Sequence, residues 1–259
     1  MHSGRRLLRY PAYGAVKVST AALSAVFRAL NWRRPRLLVY TDSRGYEITR
    51  TRNKKNPFSS YAGHLIREYS VTYRIAPKRH TTILDFLDSF GDRTDRFDAI
   101  ILHCGIVDFS PRPRSNLETV YRSKWRTLSR FIPGDVLERN LAQTDLGNYE
   151  GEPTAPIYPI DAARHYVVPL LERIPNLVWI GPNRVLPSWR GNYRRDRPAS
   201  MYIVEDFTAL FAEALLNVID LRSWTDAEIQ RFTVDNIHLS QEGFRYLLSE
   251  LNARLRALP

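Results

Sequence analysis

Short apolar runs alternate with longer stretches of helical spacing along this chain, and that rhythm constrains the fold more than any other feature. Each run holds four to eight residues and is followed by Gly, Pro or polar residues. Strands that alternate with helices in this way are typical of a parallel sheet covered by helices. We therefore predict a three-layer α/β/α sandwich with a parallel sheet of about five strands. The predicted strands are residues 36–40, 71–75, 97–104, 177–180 and 218–221.

The stretches between the runs predict helices that begin at capping residues and carry one apolar face. The last one follows Ser240, a good N-cap, and repeats Phe244, Leu247 and Leu251 at helical spacing. This face is expected to pack on the sheet. The predicted helices are residues 59–69, 82–90, 117–131, 162–174, 201–216 and 240–255.

The strand–helix rhythm covers one domain, residues 35–259, but a segment at about 110–158 interrupts it. This segment is rich in Pro and Arg and holds one or two short helical pieces. Insertions of this length between core strands are more often functional than not. We interpret it as a lid or substrate-binding subdomain, with a decorative excursion as the alternative.

Residues 1–34 form a basic amphipathic segment ahead of the domain. The mildly apolar stretch 14–30 is interrupted by Lys17 and Arg28, and bulky and basic residues follow where a signal peptide would show small ones. No apolar run reaches the ~18–20 residues of a membrane span. We predict a helix that packs on the domain, with contact to a membrane surface as the alternative. The expected location is cytoplasmic, with membrane association left open.

The composition excludes several classes of site. The chain has 259 residues, a formal net charge of +11 and one cysteine, Cys104. A single cysteine excludes an internal disulfide and a cysteine-rich zinc site, and its apolar surroundings predict a buried thiol. No metal site, phosphate loop or dinucleotide-binding glycine pattern is present, so we predict no cofactor. The basic charge favours a polyanionic partner, with a solvated basic surface that has no specific partner as the alternative. No specific nucleic acid is expected as a partner.

Polar side chains that can perform chemistry follow three of the predicted strands. Residues 41–45 follow the first and 105–108 the third, while Asp235 and His238 follow the fifth. The carboxyl ends of parallel strands meet at one edge, where such sheets bind ligands. A serine there needs a base, histidine is the usual one near neutral pH, and a carboxylate fixes its tautomer. We therefore predict Ser43, His238 and Asp235 as catalytic residues.

The ordered set Asp42-Ser43, Gly105-x-x-Asp108 and Asp235-x-x-His238 resembles the SGNH hydrolases, also called GDSL-type esterases and lipases. The resemblance extends from about Arg36 to the C-terminus. It implies a flavodoxin-like fold in which Ser43 is the nucleophile, His238 the general base and Asp235 its orienting carboxylate.

The sequence departs from the family pattern around the oxyanion hole. The family's asparagine falls on Val107, whose side chain cannot donate, and losing one such donor typically costs ~10²–10³ in rate. The glycine expected in the second block is also missing, which leaves the N–H of Arg79 as its candidate. The predicted donors are therefore Ser43, Arg79 and Asn183, although Asn183 also suits a plain turn beside Pro182.

A basic run at residues 190–197 can bind phosphate or carboxylate groups, or it is a solvated loop. The predicted substrate-binding residues are Arg44, Asp108, Arg190 and Arg194. The resemblance favours hydrolysis of an O-acyl ester, with acetyl the expected group, on a carbohydrate or small lipid that carries negative charge or is neutral. One alternative is an O-acyltransferase that uses the same triad on a polysaccharide acceptor. Another is a catalytically impaired module that binds glycans or polyanions.

Overall fold

The computed structural model describes residues 9–257 and contains one five-stranded parallel sheet. In spatial order its strands are Ser70–Ile75, Arg36–Thr41, Ala99–His103, Leu177–Ile180 and Val218–Ile219, so the second strand of the chain lies at one edge and the first lies beside it. Because this order is that of flavodoxin-like domains and helices cover both faces, the predicted three-layer α/β/α fold is confirmed. The strands in chain order are β1 (Arg36–Thr41), β2 (Ser70–Ile75), β3 (Ala99–His103), β4 (Arg112–Pro113), β5 (Asn148–Tyr149), β6 (Glu152–Ala155), β7 (Leu177–Ile180) and β8 (Val218–Ile219).

The six helices predicted within the domain are present, with ends that differ by up to three residues. No predicted range covers the helices Ile106–Phe109, Gly134–Gln143 and Asp226–Phe232, and a π-helical turn at Ala163–Val167 interrupts the helix after the insertion. The helices in chain order are α1 (Arg9–Leu30), α2 (Tyr61–Glu68), α3 (Ile83–Phe90), α4 (Ile106–Phe109), α5 (Arg114–Ser129), α6 (Gly134–Gln143), α7 (Ile160–Ala162), α8 (Val168–Glu172), α9 (Ile203–Ala214), α10 (Asp226–Phe232) and α11 (Gln241–Arg256).

The core is split by the sheet into two apolar clusters, one on each face. In β1, Leu38 and Tyr40 belong to one cluster, whereas Leu37 and Val39 belong to the other. Successive side chains of a strand point to opposite faces, so a strand buried on both faces is apolar throughout. This burial explains why the strands are continuous apolar runs in the sequence rather than alternating ones.

Side-chain caps fix where the helices beside the site begin. Thr82 forms a capping box with Asp85 ahead of α3, in which each side chain accepts the other's backbone N–H. Ser240 accepts the N–H of Gly243 and so begins α11, as the sequence predicts.

The insertion is built into the domain and has a small sheet of its own. The strands β4, β6 and β5 form an antiparallel three-stranded sheet, which the sequence did not predict because the strands are very short and contain Pro113 and Pro153. Leu117, Val120 and Leu128 of α5 are buried in the larger core cluster. The insertion therefore shares the core of the domain rather than standing apart from it.

The N-terminal helix α1 rests one face on the domain. Phe27 packs against Phe58, with 6.4 Å between ring centroids. The side-chain amide of Asn31 donates to the carbonyls of Ile66 and Tyr69 at the end of α2. Within residues 9–257, no helix has the length and apolar character needed to cross a membrane.

Candidate active site

Ser43 lies at the carboxyl end of β1, where it begins the 3₁₀ turn Ser43–Gly45. The strands β2 and β3 flank β1, so the chain leaves β1 toward one side and later returns on the other. Ligands of doubly wound sheets bind at such a reversal of strand order. The turn is tight, since a Cβ on Gly45 would lie 2.0 Å from Thr41 Oγ1. Glycine is therefore required at the end of the turn that presents Ser43.

The structure brings Ser43, His238 and Asp235 into one chain of hydrogen bonds. His238 Nδ1 lies 2.8 Å from Asp235 Oδ2, and His238 Nε2 lies 2.9 Å from Ser43 Oγ. With the Nδ1 proton directed at the carboxylate, Nε2 is left as an acceptor for the serine hydroxyl. This is the arrangement in which imidazole can take a proton from a serine that attacks a carbonyl.

A strained turn holds the histidine against its carboxylate. Asn236 has a positive φ of 73°, and its side chain bonds both the N–H and the carbonyl of Leu186. Asp235 Oδ1 accepts the backbone N–H groups of Ile237 (3.2 Å) and His238 (2.7 Å). Asp235 thus uses one oxygen for the backbone and the other for the imidazole. Asn236 was not predicted as a site residue, although asparagine is the residue type that most readily adopts this conformation after glycine.

The pKa of Asp235 is lowered from its ordinary value. Burial acts in the opposite direction, but the hydrogen bonds and charge of His238 and the charge of Arg197 outweigh it. Asp235 therefore stays ionised at neutral pH, as required of a group that stabilises an imidazolium.

Arg44 was predicted to bind substrate, and this prediction is wrong because its side chain is only 1% exposed. Its guanidinium donates to both carboxylate oxygens of Asp42 and to the carbonyl of Gly181. The Asp42–Arg44 ion pair stabilises the turn that carries Ser43. The sequence pattern Asp-x-Arg directly after a strand could have indicated this pairing. The same pattern occurs after β8, where Arg222 donates to Asp220.

Asp108 was also predicted to bind substrate, but the structure buries it completely. Its carboxyl accepts the Tyr158 hydroxyl (2.9 Å) and the N–H of Ile83 at the start of α3. Burial raises its pKa to about 7, and the charges of Asp85 and Asp42 act in the same direction. Asp108 joins three segments of the core and does not reach the cleft.

Asn183 was predicted as an oxyanion donor, and the structure corrects this as well. Its side-chain amide donates to the carbonyls of Arg184 (2.7 Å) and Asn236 (3.0 Å). An amide NH₂ group has two protons, so both are already used. Asn183 instead ties the loop after β7 to the turn that carries His238.

Arg79 lies with His80 and Lys124 along a smaller pocket separate from the serine. Its exposed side chain does not line the serine cleft. The role suggested for its backbone N–H remains a prediction.

The serine opens into a cleft of about 610 Å³ that the insertion helps to form. Polar side chains dominate its wall, with two tyrosines, three arginines and two glutamates among them. Its lining comprises Ser43, Ile106, Val107, Ser110, Pro111, Arg112, Pro113, Ser115, Asn116, Thr119, Tyr149, Glu150, Glu152, Tyr193, Arg195, Arg197, Pro198, Met201, Ile237 and His238.

None of the three cleft arginines was predicted individually. Arg195 pairs with Glu150, Arg197 lies at the outer limit of an ion pair with Asp235, and Arg112 forms no ion pair with a carboxylate among residues 9–257. Arg197 donates to the carbonyl of Asp235 (2.6 Å), stacks over Tyr193 and lies 4.0 Å from the Asp235 carboxylate. Arg112 donates to the Val107 carbonyl, while its buried Nε has no acceptor. Burial lowers the pKa of Arg112 to about 10, so it stays cationic at neutral pH.

The predicted arginines of the 190–197 run do not line this cleft. Arg190 pairs with Asp196 and borders a neighbouring pocket, and Arg194 is exposed. The predicted segment does line the cleft, but the arginines of the run that do so are Arg195 and Arg197. Only the folded loop distinguishes them, because the run has no regular spacing.

Among residues 9–257, no group of three or more His, Cys, Asp or Glu side chains is arranged to hold a metal ion.

Comparisons with known proteins returned structural matches alone. No protein-family model matches the chain, and no curated protein matches it. One matching solved structure is described as the crystal structure of an acetyl xylan esterase, AlAXEase. That alignment has 11% identity, covers 84% of this chain and 98% of the other, and has a TM-score of 0.39. A second solved structure aligns with 15% identity over 88% of this chain and 99% of its own, with a TM-score of 0.44.

Proposed function

We propose that this protein is a serine ester hydrolase of the SGNH type that removes an O-acyl group, with acetyl the expected one, from a carbohydrate. One observation carries the proposal, namely the unbroken series of hydrogen bonds from Ser43 through His238 to Asp235. This series supplies the proton transfer without which a serine hydroxyl is a poor nucleophile.

In the proposed first half-reaction, Ser43 Oγ attacks the ester carbonyl while His238 Nε2 takes its proton. Ionised Asp235 stabilises the imidazolium that forms. The N–H of Ser43, at the start of its turn, is the donor we assign to the developing oxyanion. His238 then protonates the leaving sugar oxygen, the carbon–oxygen bond of the ester breaks, and an acyl-enzyme remains on Ser43.

In the second half-reaction, His238 deprotonates a water that attacks the acyl carbonyl, and the proton returns to Ser43. The acid and the free serine are the products. If a sugar hydroxyl replaced the water, the same steps would transfer the acyl group, so acetyl release measured with and without added oligosaccharide distinguishes hydrolysis from transfer.

The cleft favours a glycan over an apolar lipid. Its wall is mainly polar, and Tyr149 and Tyr193 offer flat faces of the kind that pack against sugar rings. The cleft lining holds three arginines, Arg112, Arg195 and Arg197, against two glutamates, and Glu150 pairs with Arg195, so the wall keeps an excess of positive charge. Guanidinium groups are suited to carboxylate and phosphate. The proposed substrate is therefore an acylated glycan with anionic groups.

A fluorophosphonate probe tests the nucleophile directly. We expect labelling of the wild type and its complete loss in Ser43→Ala, because the probe needs a serine activated by His238. Ser110→Ala is the matched control, since Ser110 also lines the cleft but donates to the carbonyl of Ile106. Persistent labelling of Ser43→Ala would remove Ser43 from the mechanism, and an unlabelled wild type would favour a binding module.

The anionic preference is tested with Arg197→Gln on acetylated oligosaccharides with and without uronic acids. We expect KM for the acidic substrates to rise about tenfold, the cost of one charge-assisted hydrogen bond, with little change for neutral ones. Arg190→Gln, in the same loop but outside the cleft, should leave both values unchanged. Equal increases in KM on both substrates would contradict charge recognition by Arg197, whereas an equal fall in kcat would report its contact with Asp235.

A further inference from the structure

The helix α1 presents its apolar side to solvent rather than to the domain. Val18 is 72% exposed and Leu30 71%, and Leu23 and Val26 lie between them at helical spacing. Trp32, just past the helix, is 67% exposed. These five account for half of the ten large exposed hydrophobic side chains among the described residues. We call them the outer face of α1.

The opposite side of α1 is the one that packs on the domain, although it is partly polar. Ser24 is buried there, and Thr20 and Phe27 are partly buried. A helix that is stabilised only by its own domain turns its apolar stripe inward. An apolar face left outward over this length is the mark of an interaction surface.

The positive charge of the protein is concentrated around this face. The first 60 residues hold 13 Lys and Arg against two acids, whereas the other 199 residues hold 25 of each. The whole net charge of +11 therefore arises in the first 60 residues. Both acids, Asp42 and Glu47, are buried, so neither offsets the charge at the surface.

The exposed cations lie next to the outer face. Arg28 belongs to α1 itself, Arg33 and Arg34 follow it, and the turn Thr51–Asn53 packs beside the helix. Arg33 stacks over Trp32, 4.6 Å from the ring centroid. Within residues 9–257, six exposed cations here form no ion pair with a carboxylate, namely Arg28, Arg33, Arg34, Arg50, Arg52 and Lys54.

From this combination we infer that α1 is an interfacial anchor that lays its outer face on an anionic lipid surface. Lipid acyl chains accept Val18, Leu23, Val26 and Leu30, the headgroup region accepts Trp32, and acidic headgroups neutralise the arginines. A second copy of the chain fits less well, because a symmetric pair would bring two like-charged patches together. A nucleic acid would use the cations but leave the apolar face uncovered.

Flotation of the purified protein with lipid vesicles tests this inference. We expect binding to phosphatidylcholine vesicles that contain about 30% phosphatidylserine, weak binding to phosphatidylcholine alone, and release at about 0.5 M NaCl. Because the face does not include Ser43, the measurement is repeated on Ser43→Ala. Absence of vesicle binding would not argue against the proposed esterase activity. Absence of esterase activity would likewise not argue against membrane binding by α1.

Two test variants, each with a matched control, separate the contribution of the apolar side chains to vesicle binding from that of the arginines. Val26→Ser with Leu30→Ser should weaken binding roughly tenfold or more, while Tyr202→Ser with Leu216→Ser, exposed elsewhere, should not. Arg50→Gln with Arg52→Gln should weaken it about tenfold, while two exposed arginines of α5 provide the charge control. Those control substitutions are Arg122→Gln and Arg126→Gln.

Three results would overturn the inference. The first is no binding to anionic vesicles, and the second is equal loss in a test pair and its control. The third is a wild-type dimer, seen by sedimentation, that Val26→Ser with Leu30→Ser converts to monomer while vesicles leave the dimer intact. That last result would assign the face to self-association.

Discussion

Asp235 positions His238 through two separate sets of hydrogen bonds. One carboxylate oxygen binds the backbone N–H groups of Ile237 and His238, and the other binds the imidazole. The backbone bonds fix the turn, so the histidine does not depend on Asp235's charge alone for its position. This separation allows the charge to be removed while much of the turn is kept.

Asp235→Asn is expected to lower kcat by about 10³–10⁴-fold, because an amide facing Nδ1 favours the wrong tautomer and cannot stabilise imidazolium. The amide oxygen can still accept the backbone N–H groups, so the melting temperature should change little. Steady-state rates on an acetyl ester together with thermal unfolding check both. A kcat near that of the wild type would exclude the proposed role of Asp235.

Asp108 makes stability fall as pH rises, the reverse of the usual carboxylate. Its pKa is about 7 in the folded protein, raised first by burial, against an ordinary value of 3.8. Between these values the folded state binds the proton and the unfolded state does not. The stabilisation is thus complete below about pH 4 and is lost as pH climbs through about 7.

Asp108→Asn should remove this pH dependence, because an amide keeps the acceptor for Tyr158 and Ile83 without titrating. We expect the variant to match the wild type near pH 4 and to exceed it in free energy of unfolding near pH 8. Urea unfolding at both pH values provides the measurement. A difference between the proteins that does not change with pH would contradict the assignment.

One buried ion pair fastens the insertion to the core. Lys124 of α5 reaches Asp85 of α3, and the side chains are 5% and 0% exposed. Asp85 also completes the capping box of α3, so one carboxylate serves both helices. Its pKa is lowered despite burial, mainly through the hydrogen bond from Lys124. The position of the cleft wall therefore depends on this contact.

Lys124→Met should destabilise the protein by about 3 kcal/mol, since the buried Asp85 then keeps only the half-exposed Lys78 as a counter-charge. Adding Asp85→Asn should recover part of that loss, because the amide needs no counter-charge. A double-mutant cycle from urea unfolding measures the coupling. Strictly additive effects would show that the pair does not connect the two helices.

The arrangement of the sheet and of the proposed triad could be read from the sequence because both depend on strand ends. Apolar runs mark β1 and β3, and polar residues directly after them must meet at one edge. The partners of Asn183 and Arg44 could not be read in the same way. One acceptor of the Asn183 amide is the carbonyl of Asn236, which is 53 residues away in the sequence. The position of that carbonyl depends on the folded turn.

The short strands β5 and β6 were missed for a related reason. They have two and four residues, and their pairing depends on the helices of the insertion that support them. Arg112 and Arg197 likewise become neighbours of the serine only when the insertion and the 190–197 loop close over the sheet. Local patterns indicate strands and turns, whereas the lining of the cleft is a property of tertiary packing.

The charge distribution divides the protein into two unlike parts. The region from residue 61 onward, which includes His238 and most of the cleft, is electrically balanced, whereas the first 60 residues carry the excess. Long-range attraction to an anionic surface would therefore act on one end of the molecule. Such an asymmetry orients the protein before any contact forms.

The single cysteine lies in the larger core cluster, where Cys104 has no exposed surface and burial holds its pKa well above the ordinary value. An alkylating reagent can reach this thiol only when the sheet opens. The rate of its modification in native buffer therefore reports how often the domain unfolds, with no engineered label and no denaturant.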